Sequence, residues 1–333
     1  MTASTSWTGP RPAGEHASAL LVGLVRSELA RRGLEVASAP AAIVSEATVS
    51  LVTKREVLAR VAAAHGLVPL MEVGRGLSRL PPDPVVTALA SAVDPHDAIA
   101  RWRRLERFLH SRHHLVVEEA GELYFVVRHV GLEGAAPPEP AEDALVLGVV
   151  AELCRHSGAG DLRVAVLASG GSEHLALEGD HFSDLPVLGP GGTGRWRFDW
   201  TALEPAARER GDELPADGGV GHADVAATVT AAVSGDLVRT WSLRVLARHL
   251  ATSERTLQRR LAGAGTTVPA LVRSARVTAA GRLLVETDHD LATVGFACGF
   301  PDQPHFTRLF KRQTGMTPGA YRRAFARERS SIT

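Results

Sequence analysis

A chain of 333 residues, 45% hydrophobic and 22% charged, holds enough apolar material for two ordinary domains and is neither fibrous nor low in complexity. No apolar run approaches the roughly 20 residues needed to cross a bilayer, and the N-terminus lacks the basic-then-apolar pattern of a secretory leader. Two cysteines, Cys154 and Cys298, supply neither a disulfide framework nor a metal knuckle. A cytoplasmic protein, independent of membranes and without a cofactor, is the expectation. The formal net charge of zero hides an asymmetry. Residues 237–333 carry 16 Lys and Arg against 6 Asp and Glu, so the remainder has an equal acidic excess. Such a split marks either a nucleic-acid surface on the basic part or a basic domain seated on an acidic neighbour.

In chain order, residues 1–16 read as a loose tail. Leu20, Leu21, Leu24, Val25 and Leu29 fall at helical spacing over residues 17–32, and Gly33 stops that helix. A second amphipathic helix is expected over 52–65 and a third over 94–110, the latter capped by Asp94. The period then changes to that of a hairpin, with 115–117 and 123–127 flanking Ala120-Gly121. After a Pro-rich loop come a helix over 141–156, a strand over 162–167 and a further strand over 195–198. Residues 17–204 are therefore an α+β or α/β domain for effector binding or dimerisation. The glycines and prolines that follow mark 205–226 as a linker, and 227–329 form a second, all-helical domain.

That last domain contains a pattern twice. Leu243, Leu246, Ala247 and Leu250 make one apolar helical stripe. Ser253 then stands at an N-cap position before a basic helix presenting Arg255, Gln258, Arg259 and Arg260. Further on, Leu291, Val294 and Cys298 form another stripe. Gly299 allows a turn, and Asp302 caps a helix with Gln303, Thr307, Arg308 and Lys311 facing outward. Helix, tight turn and capped basic helix is the helix-turn-helix pattern, whose second helix enters the major groove. A connecting helix over 270–285 would hold the two recognition helices about one DNA turn apart, roughly 34 Å. Arg pairs with guanine and Gln with adenine through two hydrogen bonds, whereas Lys and many surface Arg meet phosphates.

The stretch from Leu291 to Arg322 resembles the signature of the AraC/XylS family of bacterial transcription regulators. The Gly299-Phe300 pair, Phe306, Arg308, Phe310-Lys311, Gly315, Thr317-Pro318 and Tyr321-Arg322 match it in order, while Ser253, Leu257, Arg259, Arg276, Ala280 and Leu284 fit the first unit and connector. The resemblance covers about 95 residues. It implies that Arg255, Gln258, Arg259, Gln303, Thr307 and Arg308 approach bases. Ser253, Arg260, Lys311 and Arg312 are the candidates for phosphate contact. Three departures stand out: Ala251 in place of the usual turn glycine, Gly295 where alanine is commoner, and Pro304 at a position usually small and polar. The partners to expect are double-stranded DNA, an unidentified small-molecule effector, a second copy of the chain in a homodimer, and RNA polymerase.

The N-terminal domain offers weaker signals. It bears a faint resemblance to the family's non-cupin ligand-binding type. Trp102, Phe108, Tyr124 and Phe125 are the candidate lining of an effector pocket, with ordinary core as the alternative. His110, His113, His114 and His129 lack a carboxylate or thiol at metal-ligand spacing, and the glycines near 169–172 and 189–194 read as turns rather than phosphate cradles. Two other functions stay open: a DNA-binding protein with a purely structural dimerisation domain, and an enzyme fused to a DNA-binding module, which would need an activated cysteine.

Overall fold

The computed structural model describes residues 16–34, 48–79, 84–108, 113–132, 135–168, 171–185, 192–203 and 222–325. The expected tail and most of the expected linker lie outside these residues, as does His110. His16, placed at the end of the tail by sequence, instead begins a short strand.

The N-terminal region opens with β1 (His16–Ser18) and β2 (Thr48–Ser50), which pair antiparallel and lead into α1 (Ala19–Arg31) and α2 (Leu51–His65). Next come α3 (Val68–Met71), a 3-10 segment (Glu72–Arg79), α4 (Pro84–Ala90) and α5 (Pro95–Phe108). Asp94 caps α5 as expected, its Oδ1 accepting the Asp97 amide at 2.7 Å. The hairpin is β3 (His113–Ala120) and β4 (Tyr124–Gly131), with Val117 opposite Val127. It belongs to a six-stranded sheet of order β3-β4-β9-β6-β7-β8, where β6 is Arg163–Leu167, β7 Glu173–Glu178, β8 His181–Phe182 and β9 Arg195–Asp199. A small side pair joins β5 (Ala159–Gly160) to β10 (Ala202–Leu203). Helix α6 (Pro140–His156) is buried along most of its length, which explains its apolar run. Every recorded strand pair is antiparallel, so the region is α+β, not α/β.

The C-terminal region is all helical: α7 (His222–Gly235), α8 (Leu243–His249), α9 (Glu254–Gly263), α10 (Val268–Glu286), α11 (Leu291–Ala297), α12 (Gln303–Thr314) and α13 (Pro318–Phe325). Helix α7 already starts inside the segment expected as linker. Two cores divide these helices. Val225, Val229 and Val233 of α7 pack with Leu246, Leu250, Leu257 and Leu261 around the N-terminal half of α10, through Val268, Val272 and Ala275. The other half of α10, through Val277, Ala280 and Leu284, packs with Val294, Phe296, Phe306 and Phe310. One helix of 19 residues, about 28 Å long at 1.5 Å per residue, thus belongs to both cores.

The second core does not stop at the C-terminal region. It is continuous with the core of the N-terminal one, because α4 and α5 pack on α11. Phe108 meets Phe296 edge-on at 6.2 Å between ring centres. The fully buried Arg101 donates to both carboxylate oxygens of Asp236, at 3.0 and 2.6 Å, and to Asp97 at 2.9 Å. Arg104 reaches the carbonyl of Val238. Apolar contact therefore seats α5 against the second helix-turn-helix unit, and charge-assisted hydrogen bonds tie it to the segment between α7 and α8.

Candidate nucleic-acid interface

Each unit is built by the same local chemistry. Helix α8 starts at Ser242, whose hydroxyl accepts the Val245 amide at 3.2 Å, and α11 starts at Asp290, whose carboxylate accepts the Thr293 amide at 2.6 Å. Both end in the same two hydrogen bonds. In the first unit Thr252 N reaches Ala247 O and Ala251 N reaches Arg248 O; in the second Phe300 N reaches Gly295 O and Gly299 N reaches Phe296 O. This paired closure needs a left-handed residue after the helix. Gly299 supplies it at φ +76°, whereas Ala251 adopts φ +48° despite its side chain. The glycine is obligatory for a second reason: a Cβ on Gly299 would lie 1.9 Å from the Leu237 carbonyl oxygen. Ala251 is exposed and pays only the backbone strain.

The following helices are capped in turn. Ser253 Oγ accepts the Thr256 amide at 3.1 Å and Asp302 Oδ1 the His305 amide at 2.7 Å. Leu257 and Leu261 of α9, and Phe306, Leu309 and Phe310 of α12, are buried. The opposite faces carry the candidate DNA-contacting side chains. Arg255, Gln258, Arg259, Arg308, Lys311 and Arg312 are exposed, while Arg260, Gln303 and Thr307 are half-buried. Ser253 is exposed but its hydroxyl is engaged as the cap. Pro304 occupies the first turn of α12, where its missing N–H leaves no intrahelical bond unmade.

Gly295 also has a structural reason. A Cβ there would come within 2.9 Å of Phe108 Cε1 and 3.1 Å of Phe306 Cδ1, so the absent methyl makes room for the α5 aromatic that docks on this unit. His305 is the residue that sequence reasoning missed. It sits half-buried in the first turn of α12, and its Nδ1 is buried without a hydrogen-bond partner. Burial lowers its pKa, with Asp302 opposing and Arg308, Arg276 and Arg312 adding to the shift. A histidine beside a proline carried no sequence signal.

The N-terminal candidates have separate surroundings. Trp102 is buried and its indole donates to Glu106 at 2.8 Å. Phe108 faces Phe296. Phe125 lies in the sheet core beside Phe198 and Trp200, and Tyr124 is on the other face under the Arg197 guanidinium, 4.2 Å from the ring centre. Adjacent strand residues point to opposite faces, so the four are not brought together as one lining. Among the described residues no three His, Cys, Asp or Glu side chains are grouped to hold a metal. His129 instead bonds Asp143 at 2.8 Å, and Asp143 also accepts from Thr193. Both thiols are buried, and burial pushes that of Cys298 up to about 12 and that of Cys154 further, the reverse of an activated nucleophile. Among the described residues no helix is long and apolar enough to cross a membrane.

A family profile described as "Helix-turn-helix domain" matches residues 246–324. The transcriptional activator NphR of Rhodococcus sp is 40% identical over 86 residues, which are 26% of this chain and 26% of that protein. The HTH-type transcriptional activator RhaR of Salmonella schwarzengrund is 32% identical over 92 residues, 27% of this chain and 33% of its own. Residues 246–324 are a helix-turn-helix domain similar to those of AraC/XylS-family activators. The chain spans about a quarter to a third of the length of these curated relatives. Among solved structures, the DNA-binding domain of AdpA in complex with a target DNA is 32% identical, with a TM-score of 0.28 over 30% of this chain and 91% of that one. The C-terminal region is a helical helix-turn-helix domain attached to an α+β region.

Proposed function

We propose that the chain is a sequence-specific transcription regulator that acts in the cytoplasm as a homodimer, engages RNA polymerase at its promoters, and is controlled by a small-molecule effector. The observation that carries this reading is the pair of capped helices, α9 and α12, each exposing cations and each locked to one end of the same connector, α10. Arg255, Gln258, Arg259, Gln303, Thr307 and Arg308 then approach base edges, and Arg260, Lys311 and Arg312 meet phosphates, with Ser253 fixing the start of α9. The names of the similar activators support transcriptional control as the output. Effector control is supported by the direct packing of α4 and α5 on α11. A ligand that favours one seating of these helices shifts the population competent for DNA.

The test is binding of the full chain to duplexes selected from a random-sequence pool, measured across a salt series. Several neutralised phosphates give a log–log slope of several negative units, and the selected duplexes should outcompete random DNA. A flat salt response, or no enrichment of any sequence, overturns the reading.

A further inference from the structure

The two helix-turn-helix units have separate cores. Besides α10, the short segment 236–241 between α7 and α8 joins them. Leu237 packs against both cores, Val238 is buried in the second and Trp241 in the first. The segment is braced on itself: the Trp241 indole donates to the Asp236 carbonyl at 2.7 Å, and the Arg239 amide donates to Asp236 Oδ1 at 3.2 Å. Three elements hold it from outside. From α5, Arg101 grips the Asp236 carboxylate and Arg104 donates to the Val238 carbonyl. The turn of the second unit lies so close at Gly299 that an added Cβ would strike the Leu237 carbonyl. From α10, Arg276 donates through Nε to the Leu237 carbonyl at 3.0 Å and through Nη2 to the Arg239 carbonyl at 3.2 Å. Arg276 stands where the two cores meet along α10, between Ala275 of the first and Val277 of the second. Burial lowers it only to about 10, so it bonds both carbonyls as a cation at neutral pH.

We propose that Arg276 is the positioning residue that fixes where α9 and α12 stand relative to each other, by tying the connector, the entry to the first unit and the turn of the second into one joint. A helical rod sets the distance between units packed on it but not the angle at which each sits. Two bonds from one planar guanidinium to separate carbonyls stop the entry segment from rolling about α10, and Leu237 wedges between the cores on the same segment. The angle matters because the arm is long. Over about 34 Å, a swing of about 10° carries a helix end about 6 Å, nearly two base-pair steps of about 3.4 Å. Linked modules strengthen each other only where both can seat at once, so a firm joint makes the chain selective for the spacing between its two half-sites. The proposal rests on α9 and α12 being the helices that contact DNA, but their relative placement is measured without DNA.

The experiment is pulsed electron spin resonance on the full chain, with spin labels attached through Ala262→Cys on α9 and Gln313→Cys on α12, both exposed positions; the two native thiols are buried. The parent should give one narrow distribution of label distances, and Arg276→Gln should shift or broaden it by several ångströms. A second reading compares a selected duplex with one carrying two extra base pairs between its half-sites. The parent should lose about tenfold or more on the longer duplex, and Arg276→Gln about threefold or less. Leu237→Ala, which withdraws the side chain shared by both cores, should act in the same direction and keeps the test decisive if the Gln variant does not fold. Parent-like label distances in the folded variants, or spacing discrimination equal to the parent's, overturns the proposal, because these residues would then serve stability alone. A parent with one narrow label distance that is loosened in the variants, yet no affinity for any duplex, upholds the joint and sinks the regulator reading alone.

Discussion

The two turns invite a paired experiment with opposite expected signs. Ala251 and Gly299 stand at the same place in the two units, each closing its helix with the same pair of backbone bonds. At Ala251 the side chain is exposed and φ is +48°, so the left-handed conformation costs about 1–2 kcal/mol. Ala251→Gly removes that strain but returns about 0.4–1 kcal/mol of backbone freedom to the unfolded chain, leaving a net stabilisation of between about 0 and 1.6 kcal/mol. Gly299→Ala acquires the same strain and also a Cβ 1.9 Å from the Leu237 carbonyl oxygen and 2.9 Å from Arg276 Nε. That carbonyl accepts the Arg276 hydrogen bond, so it cannot retreat without breaking it, and the expected loss is about 2–4 kcal/mol. Urea unfolding of the full chain, followed by far-ultraviolet circular dichroism, measures both. Destabilisation by Ala251→Gly, or a Gly299→Ala variant as stable as the parent, would refute the reasoning about these turns.

Gly295→Ala should cost about 1–3 kcal/mol by pressing on Phe108 and Phe306, and Phe108→Leu in the same chain should recover part of it; two variants with simply additive losses would contradict the fit. A double-mutant cycle of Arg101→Ala and Asp236→Ala should return a coupling of about 2–4 kcal/mol, given two hydrogen bonds to a fully buried guanidinium. A coupling below about 0.5 kcal/mol, at the level of additive noise, would mean the bridge does not hold α5 to the helical region. Arg308→Ala should lose about 1–3 kcal/mol on a selected duplex and relax preference at one base pair, while an equal loss on random DNA would assign it to phosphate. Stability should fall as pH drops from 6.5 towards about 4. Burial, opposed by Glu142 and reinforced by His129 and Lys54, holds His113 down to about 4, and burial lowers His114 in the same direction. The unfolded chain then binds protons that the folded one refuses, and His113→Asn should flatten that slope in thermal-melt midpoints taken across the range.

Much of the C-terminal region is legible because each of its elements is specified locally. Cap residues Ser253 and Asp302, apolar positions such as Leu257 and Phe306, and the glycine after α11 each act within one turn of chain. The N-terminal region is legible only where a pattern is strong. The β3–β4 hairpin and α6 follow from their apolar runs, and all the sheet pairs turn out antiparallel. Strand β7, Glu173–Glu178, interleaves charged ends with a short apolar middle and offers no clear alternation. Helix α4, seven residues long, owes its stability to packing on α11 and α5. The seating of Phe108 against Gly295 could not be foreseen, since it joins positions far apart in sequence. The sequence marks Gly295 as unusual, and only the neighbouring ring explains why. The same holds for the bridge from Arg101 to Asp236, which exists only once α5 has docked.

Hydroxyl-radical footprinting of the full chain on a selected duplex tests the central claim most directly. Two basic helices carried by one connector should protect two backbone segments on the same face of the DNA, centred about 10 base pairs apart, and Arg259→Ala and Arg308→Ala should each weaken a different one. A single protected segment, or two that lie on opposite faces, would contradict the account.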